Sequence, residues 1–318
     1  MLPTLEVLTI GRVSVDLYSD RPGASFQDDQ RFVKSVGGSP TNVAVAAARL
    51  GRRAAVITKV GDDPFGAYVR NKLQAFGVDT RFVGVHPTLP TPLAFAAMDR
   101  TDDPTLVFYR YPLAPDTTIE PESIDMAVAV AVPIVWVSAS TLSTGTSAAA
   151  GDALLRARSG VRHTILDLDH RPQFWSSRAE ATARVGAALE HCTVAVGNTV
   201  ECEVAVGSGE PAEAARRLLD RGVEVAIVKR GDEGVLVATA GGSWVVPAHP
   251  VDVVCGLGAG DAFGGALCHG LLAGWDPRRS AEFANVAGAI VASRLLCSDA
   301  MPDEAEIHRA EGTVRATG

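Results

Sequence analysis

The chain has no CxxC pair and no cluster of cysteine and histidine at metal-ligand spacing. Its five cysteines, at 192, 202, 255, 268 and 297, are an odd and scattered set. That argues against a disulfide framework or a zinc site and fits reduced thiols in a cytoplasm. Basic runs are missing too: 29 basic against 37 acidic side chains give a net charge of −8, so nucleic acid is not an expected partner. A small anionic ligand stays open, because local donors outweigh a distant net charge. No apolar run reaches membrane-spanning length; residues 126–137 are apolar but too short, and they contain Pro133. No membrane partner is therefore expected. The start, Met1-Leu-Pro-Thr-Leu-Glu6, lacks the basic-then-apolar pattern of a secretory leader, so none is expected. There is no GxxxxGK[ST] sequence, which argues against a P-loop kinase, and no internal repeat or low-complexity linker.

What is present is a chain of 318 residues, 47% of them hydrophobic, enough for a substantial core. Residues 5–10, 54–60, 132–137, 164–168, 193–196 and 225–228 read as short buried strands. Helix-like stretches separate them. Residues 41–50 form an Ala- and Val-rich helix closed by Gly51, and Asp63-Pro64 opens another that Gly77 stops. This alternation predicts an α/β protein: a central, mostly parallel sheet with helices on both faces. Two regions break the rhythm. Residues 13–36 are polar with scattered β-formers, and 93–98 and 106–111 read as strands around the turn Asp99-Arg-Thr-Asp-Asp-Pro104. The expectation is one domain over 1–318, with a small projecting sheet from segments near 13–36 and 92–111. Such a lid would cover a site and exclude water; surface hairpins without a role are the plain alternative.

The chemistry concentrates in Gly256-Leu-Gly-Ala-Gly-Asp-Ala-Phe263. Glycines in a tight turn let consecutive backbone N–H groups point into one concavity. A helix start adds the positive end of its dipole, so the place suits phosphate. A carboxylate there would repel phosphate. Asp261 makes sense if it takes a proton from a hydroxyl about to attack phosphorus. Taken alone, the stretch reads equally well as a turn with an ordinary acidic first-turn residue.

The remaining motifs give the chain a resemblance. Val36-Gly-Gly-Ser-Pro-Thr-Asn-Val-Ala-Val-Ala-Ala-Ala-Arg-Leu-Gly51 and Gly258-Ala-Gly-Asp-Ala-Phe263 frame Asn198-Thr-Val-Glu201 and Lys229-Arg-Gly-Asp-Glu-Gly234. Four such motifs in this order, over nearly the whole chain, resemble the ribokinase-like sugar kinases, the PfkB carbohydrate kinase family. The resemblance implies a three-layer sandwich with a small β-sheet lid, and ATP and Mg²⁺ as cofactors. It implies Asp261 as the base and Gly258, Ala259 and Gly260 as the anion hole. It places Asp16, Gly37, Gly38 and Asn42 at the sugar, where an amide can donate to and accept from hydroxyls. It places Asn198, Glu201, Lys229, Gly231, Gly234 and Asn285 at the nucleotide, with Glu201 near the water shell of Mg²⁺. Family members often pair through the lid, which implies a homodimer. Each residue also has a plainer reading, as a cap, a turn or a surface polar group.

Finer similarity points to one branch. Gly11-Arg-Val-Ser-Val-Asp-Leu-Tyr18, Phe108-Tyr-Arg-Tyr-Pro112, Asp167-Leu-Asp-His-Arg-Pro172 and Arg294-Leu-Leu-Cys-Ser-Asp-Ala-Met-Pro302 resemble enzymes that phosphorylate 5-dehydro-2-deoxy-D-gluconate in myo-inositol catabolism. A sugar acid calls for a residue that pairs with its carboxylate, and arginine does so through two hydrogen bonds. Arg110 and Arg171 are the candidates. A 2-keto-3-deoxygluconate kinase, a fructokinase and a non-catalytic sugar sensor on the same fold stay open. A dinucleotide-dependent oxidoreductase fits less well, because the glycine cluster lies late in the chain with the wrong spacing. One departure stands out. Many members carry an acid where this chain has Cys255. A thiol is a poor ligand for a hard cation, which puts a potassium site in doubt.

Overall fold

Strands buried on both faces read as unbroken apolar runs because successive side chains point to opposite layers. Residues 134–138 show this: Ile134 and Trp136 enter one core, Val135 and Val137 the other. A computed structural model describes residues 4–100 and 104–317, with side chains described as far as 312. The main sheet contains β1 (Val7–Ile10), β4 (Ala54–Gly61), β5 (Val83–His86), β8 (Ile134–Ser138), β9 (Thr164–Asp167), β10 (Val194–Asn198), β11 (Val225–Lys229), β12 (Val235–Thr239) and β13 (Gly242–Val246). Their spatial order is β13-β12-β11-β10-β9-β8-β1-β4-β5. All neighbours from β11 to β5 are parallel, and β12 and β13 add an antiparallel edge. The expected α/β class is therefore found, with strand ends displaced by a few residues.

One face is covered by α1 (Ser39–Arg49), α2 (Pro64–Ala75), α8 (Ala259–Leu272), α9 (Pro277–Ala292) and α10 (Glu304–Thr317). The other carries α3 (Met126–Ala131), α4 (Gly145–Ala157), α5 (Arg178–Leu189), α6 (Thr199–Val206) and α7 (Pro211–Asp220). Among the described residues no helix is long and apolar enough to cross a membrane.

The polar stretch after β1 forms β2 (Ser14–Ser19) and β3 (Phe32–Gly37), joined in a second sheet by β6 (Leu93–Ala96) and β7 (Leu106–Tyr109), in the order β3-β2-β6-β7. Phe32, Phe95 and Tyr109 pack edge to face across it. Residues 101–103 of the expected turn lie outside the described residues. After β1 the chain builds outward through β4 and β5, then returns to place β8 on the other side of β1. The carboxyl ends of β1 and β8 therefore border a switch point, where an open α/β sheet leaves a crevice for ligand.

Candidate active site

Strand register brings the polar residues to one edge of the sheet. Asn198 and Lys229 are paired at the ends of β10 and β11, and Asp167 lies beside Ser138 at the ends of β9 and β8. The small sheet adds Asp16 from β2. Its carboxylate occupies the space a side chain on Gly37 would fill, and a Cβ on Gly38 (φ +98°) would strike the Arg12 carbonyl. The two glycines thus let Asp16 and the start of α1 share one wall. Asp16 accepts hydrogen bonds from Ser14 Oγ at 2.6 Å and from the Tyr18 hydroxyl at 3.2 Å. Burial pushes its carboxyl up to about 6 against the pull of those bonds.

Asp261 stands in the first turn of α8, opposite. The Asn42 amide donates to its Oδ2 at 2.8 Å, and Asn42 Oδ1 accepts from Ser298 Oγ at 2.7 Å. With both ends of the amide engaged, Asn42 has one orientation, and so does the carboxylate it holds. Burial raises the Asp261 carboxyl above the ordinary range, opposed by the hydrogen bonds from Asn42 and Ser39. Gly258 precedes the helix at φ +83°, and no side chain caps it. A Cβ there would come within 2.6 Å of Cys297 Sγ. The first amides of α8 are thus left to an anion. Lys229 reaches the same place, its Nζ 3.1 Å from where a Cβ of Gly260 would stand. Burial alone would lower the ammonium, but the Glu201, Asp167, Asp261 and Asp169 carboxylates win and raise it.

A second polar group lines the switch point. Asp169 is paired with Arg12 and, at 3.1 Å, with Arg171, and accepts from Ser138 and Ser140 at 3.0 and 3.1 Å. Burial pushes its carboxyl up, but the two guanidinium groups overcome this and hold it well below the usual range. Arg110 donates to Asp116 Oδ1 at 2.7 Å, and Asp116 Oδ2 accepts from the Val13 amide. Arg12 and Arg110 both lie over the Phe174 ring, 5.2 and 4.8 Å from its centre. With Ser140, Thr141 and Thr144 they line a cavity of about 130 Å³. Arg110 is thus closely enclosed, whereas the Arg171 side chain is 38% exposed and more available.

Asn198 and Glu201 form a capping box at the start of α6. Asn198 Oδ1 accepts from the Glu201 amide at 2.9 Å, and Glu201 Oε2 accepts from the Asn198 amide at 2.7 Å. The plainer reading of this pair is therefore realised, and it directs Glu201 toward Lys229. Gly231 faces open space, Gly234 packs against the backbone at Val246–Ala248, and Asn285 donates to the Pro247 carbonyl at 2.8 Å. Cys255 is fully buried among Tyr18, Ala96, Met98 and Cys297, and burial raises its thiol. A neutral thiol there is a poor ligand for a potassium ion.

Sequence reasoning missed Arg12, Ser39, Asp167, Asp169 and Ser298 as members of this site. Their only sequence signal was membership of the stretches that carried the branch similarity or, for Ser39, of the first family motif. The contacts that reveal them span 128 to 256 residues.

Mg²⁺ has no ready cage: among the described residues no three acidic, histidine or cysteine side chains stand ready to hold a metal. The donor set instead fits an ion held mainly by phosphate and water. The open α8 start and Lys229 fit phosphate.

A carboxylate aimed at a helix-terminal anion cradle, beside a covered polar cleft, defines a phosphotransferase that acts on an alcohol. The comparisons with known proteins make the class more specific. The pattern of the pfkB family carbohydrate kinases matches residues 4–304. 5-dehydro-2-deoxygluconokinase of Geobacillus kaustophilus is 30% identical over 96% of this chain and 93% of that enzyme. The enzyme of the same name from Photobacterium profundum is 31% identical over 94% and 92%. Among solved structures, a putative ribokinase II from E. coli in complex with ATP and Mg²⁺ superposes with a TM-score of 0.87 at 24% identity, covering 97% of this chain and 99% of that one. A double-mutant fructokinase from Vibrio cholerae, bound to fructose, ADP and potassium, gives 0.85 at 25% identity over 97% and 99%. The chain belongs to the pfkB family of carbohydrate kinases.

Proposed function

We propose that the protein transfers the γ-phosphoryl group of ATP to the primary hydroxyl of a sugar acid, 5-dehydro-2-deoxy-D-gluconate, as a step of myo-inositol catabolism. The observation that carries the acid substrate is Arg171, held 3.1 Å from Asp169 at the switch point with its side chain partly exposed. A neutral sugar would not require a cation there. Relatives that bear the corresponding enzyme name, at about 30% identity, support the same reading.

In this reading Asp16 accepts hydrogen bonds from sugar hydroxyls and Asn42 orients both sugar and base. Asp261 removes the proton from the attacking hydroxyl. The amides of Gly258, Ala259 and Gly260, with Lys229, hold the phosphoryl oxygens and stabilise charge that grows in the transition state. Asn198, Gly231, Gly234 and Asn285 border the rest of the nucleotide. Mg²⁺, held near Glu201 through water, would neutralise phosphate charge. Positioning and electrostatics supply most of the rate gain. The exposed residues Val107 and Tyr109, which share one face of the lid with Phe95, support a homodimer formed through it. The free thiols fit a reducing cytoplasm.

The test is ATP- and Mg²⁺-dependent phosphorylation of 5-dehydro-2-deoxygluconate beside 2-keto-3-deoxygluconate, fructose and ribose. The expected result is a kcat/KM highest for the first. Preference for another sugar would keep the kinase and overturn the substrate. ATP binding without turnover of any of them would favour a sensor.

A further inference from the structure

Asp16 is the acid that the lid brings to the cleft, and distant residues hold it there. Asp16 and Tyr18 stand two apart on β2, so their side chains leave the same face of the small sheet. Tyr18 is buried among Ala96, Met98, Cys255 and Cys297. Its hydroxyl lies 3.2 Å from Asp16 Oδ2 and 2.7 Å from Cys297 Sγ. Cys297 comes from the far end of the chain and also backs the glycine turn before α8. A Cβ built on Gly258 would stand 2.6 Å from Cys297 Sγ and 2.9 Å from Cys297 Cβ. One short line of contacts thus runs from Asp16 through Tyr18 and Cys297 to Gly258.

A phenol has one hydrogen and can donate it to only one of these neighbours. The carboxylate is charged and is the stronger acceptor, whereas a thiol sulfur is a weak one. The Tyr18 hydrogen therefore goes to Asp16, and Cys297 turns its own hydrogen to the phenol oxygen. Burial keeps that thiol protonated, so it has a hydrogen to give. Hydrogen bonds in series strengthen one another, and the thiol makes the phenol a better donor. Ser14 donates to Asp16 Oδ1 at 2.6 Å. Each oxygen of Asp16 thus has one fixed partner and can accept once more, from a ligand.

We propose that Tyr18 and Cys297 are positioning residues of the phosphoryl transfer: Tyr18 keeps Asp16 aimed as an acceptor for the sugar, and Cys297 holds Tyr18 while bracing the turn that takes phosphate. The proposal rests on Asp16 being at the sugar and Gly258 at the phosphate. The charges around Asp16 are few. Burial pushes its carboxyl up to about 6; the Ser14 and Tyr18 hydrogen bonds and Arg12, which follows β1, oppose this, and Asp261 on α8 adds to it. The buried thiols Cys255 and Cys297 stay neutral. Losing the Tyr18 hydrogen moves the Asp16 carboxyl further up, because only the ionised form gains from that bond.

The measurement is KM and kcat from pH 5 to 8, with the best sugar of the panel, in Tyr18→Phe. That variant keeps the ring and loses the hydroxyl. In the wild type KM should rise as pH falls through about 6. In Tyr18→Phe the rise should begin about one pH unit higher, roughly the worth of one hydrogen bond to a charged group. At pH 6 the change should fall on KM more than on kcat. Carbon NMR of the Asp16 carboxyl, without sugar, should show its titration moved up by the same amount. A KM profile that rises at the wild-type pH in Tyr18→Phe overturns the proposal and leaves Asp16 at the sugar. Equal losses in KM and kcat at every pH would make Tyr18 a structural prop and overturn it too. A KM flat in both proteins, beside a carbon titration that moves, overturns the placing of Asp16 at the sugar rather than the tie to Tyr18. Cys297→Ala should move the profile the same way by less and lower kcat for every sugar, and Cys297→Ser should restore the profile. An undiminished kcat in Cys297→Ala would remove Cys297 as a brace for the phosphate turn.

Discussion

The wall proposed to take phosphate is lined by backbone: the uncapped start of α8, the left-handed Gly258 and the turn at Gly231–Gly234, with Lys229 as the added cation. The wall proposed to take the sugar is lined by side chains tied in pairs: Arg12 to Asp169, Arg110 to Asp116, Asn42 to Asp261. The contrast follows from what each wall must recognise. Phosphate looks alike in every nucleotide, and amides at a helix end suffice for it. Sugars differ by single hydroxyls and carboxyls, and only side chains that can be exchanged one at a time can tell them apart.

The contrast can be tested from its strongest point outward. Asp261 belongs to both walls, and Asp261→Asn should lower kcat by about 10³-fold while calorimetry finds ATP affinity nearly unchanged. Undiminished turnover would remove it as the base. On the phosphate wall, Gly258→Ala forces a Cβ against Cys297 at a φ of +83° and should cost about 100-fold in kcat for every sugar alike. Loss confined to one sugar would blur the division. On the sugar wall, Arg171→Ala should raise KM for the acid substrate by about tenfold or more and leave neutral sugars almost unaffected. Arg110→Ala should do less to binding, since Asp116 already engages that side chain. An equal loss for acid and neutral sugars would make both arginines structural.

Asp16 gives a smaller effect that depends on pH. With its carboxyl at about 6 in the folded protein, KM for the sugar should rise as pH falls through that value, because protonation removes an acceptor. A KM that is flat from pH 5 to 7 would count against its role at the sugar. The smallest effect concerns Cys255. Replacing sodium by potassium should change the rate by less than about twofold, measured with the same sugar.

The same contrast explains what could be read in advance. The parallel strands were legible because burial on both faces leaves apolar runs, and the phosphate wall because glycine turns are short-range in sequence. Asp16, Gly37 and Gly38 were legible through family motifs, but the collision that fixes Gly37 as glycine needs β2 and β3 paired. The lid was legible as a segment, residues 13–36, but the bounds of β2 and β3 within it were not, since a lid alternates polar and apolar residues over few positions. Arg12 with Asp169, and Ser39 with Asp167, could not be read, because neither partner has a local pattern and the chain between them exceeds a hundred residues. Asn198 and Glu201 show the reverse case: their local capping pattern is real, and it fixes how Glu201 is held beside Asn198.

The short turn at Ser298–Ala300 ties these parts together. Ser298 holds Asn42, Asp299 accepts from Ser35 of the lid and pairs with Lys72 of α2, and the Met301 carbonyl accepts from Arg49. All of these partners lie in the first quarter of the chain. During synthesis the ribosome releases all four family motifs, Asp261 included, before it releases this turn. A nascent chain therefore carries Asn42 and Asp261 while Asn42 still lacks its Ser298 partner. Full ordering of Asn42 therefore waits until this late turn has docked against α1 and the lid.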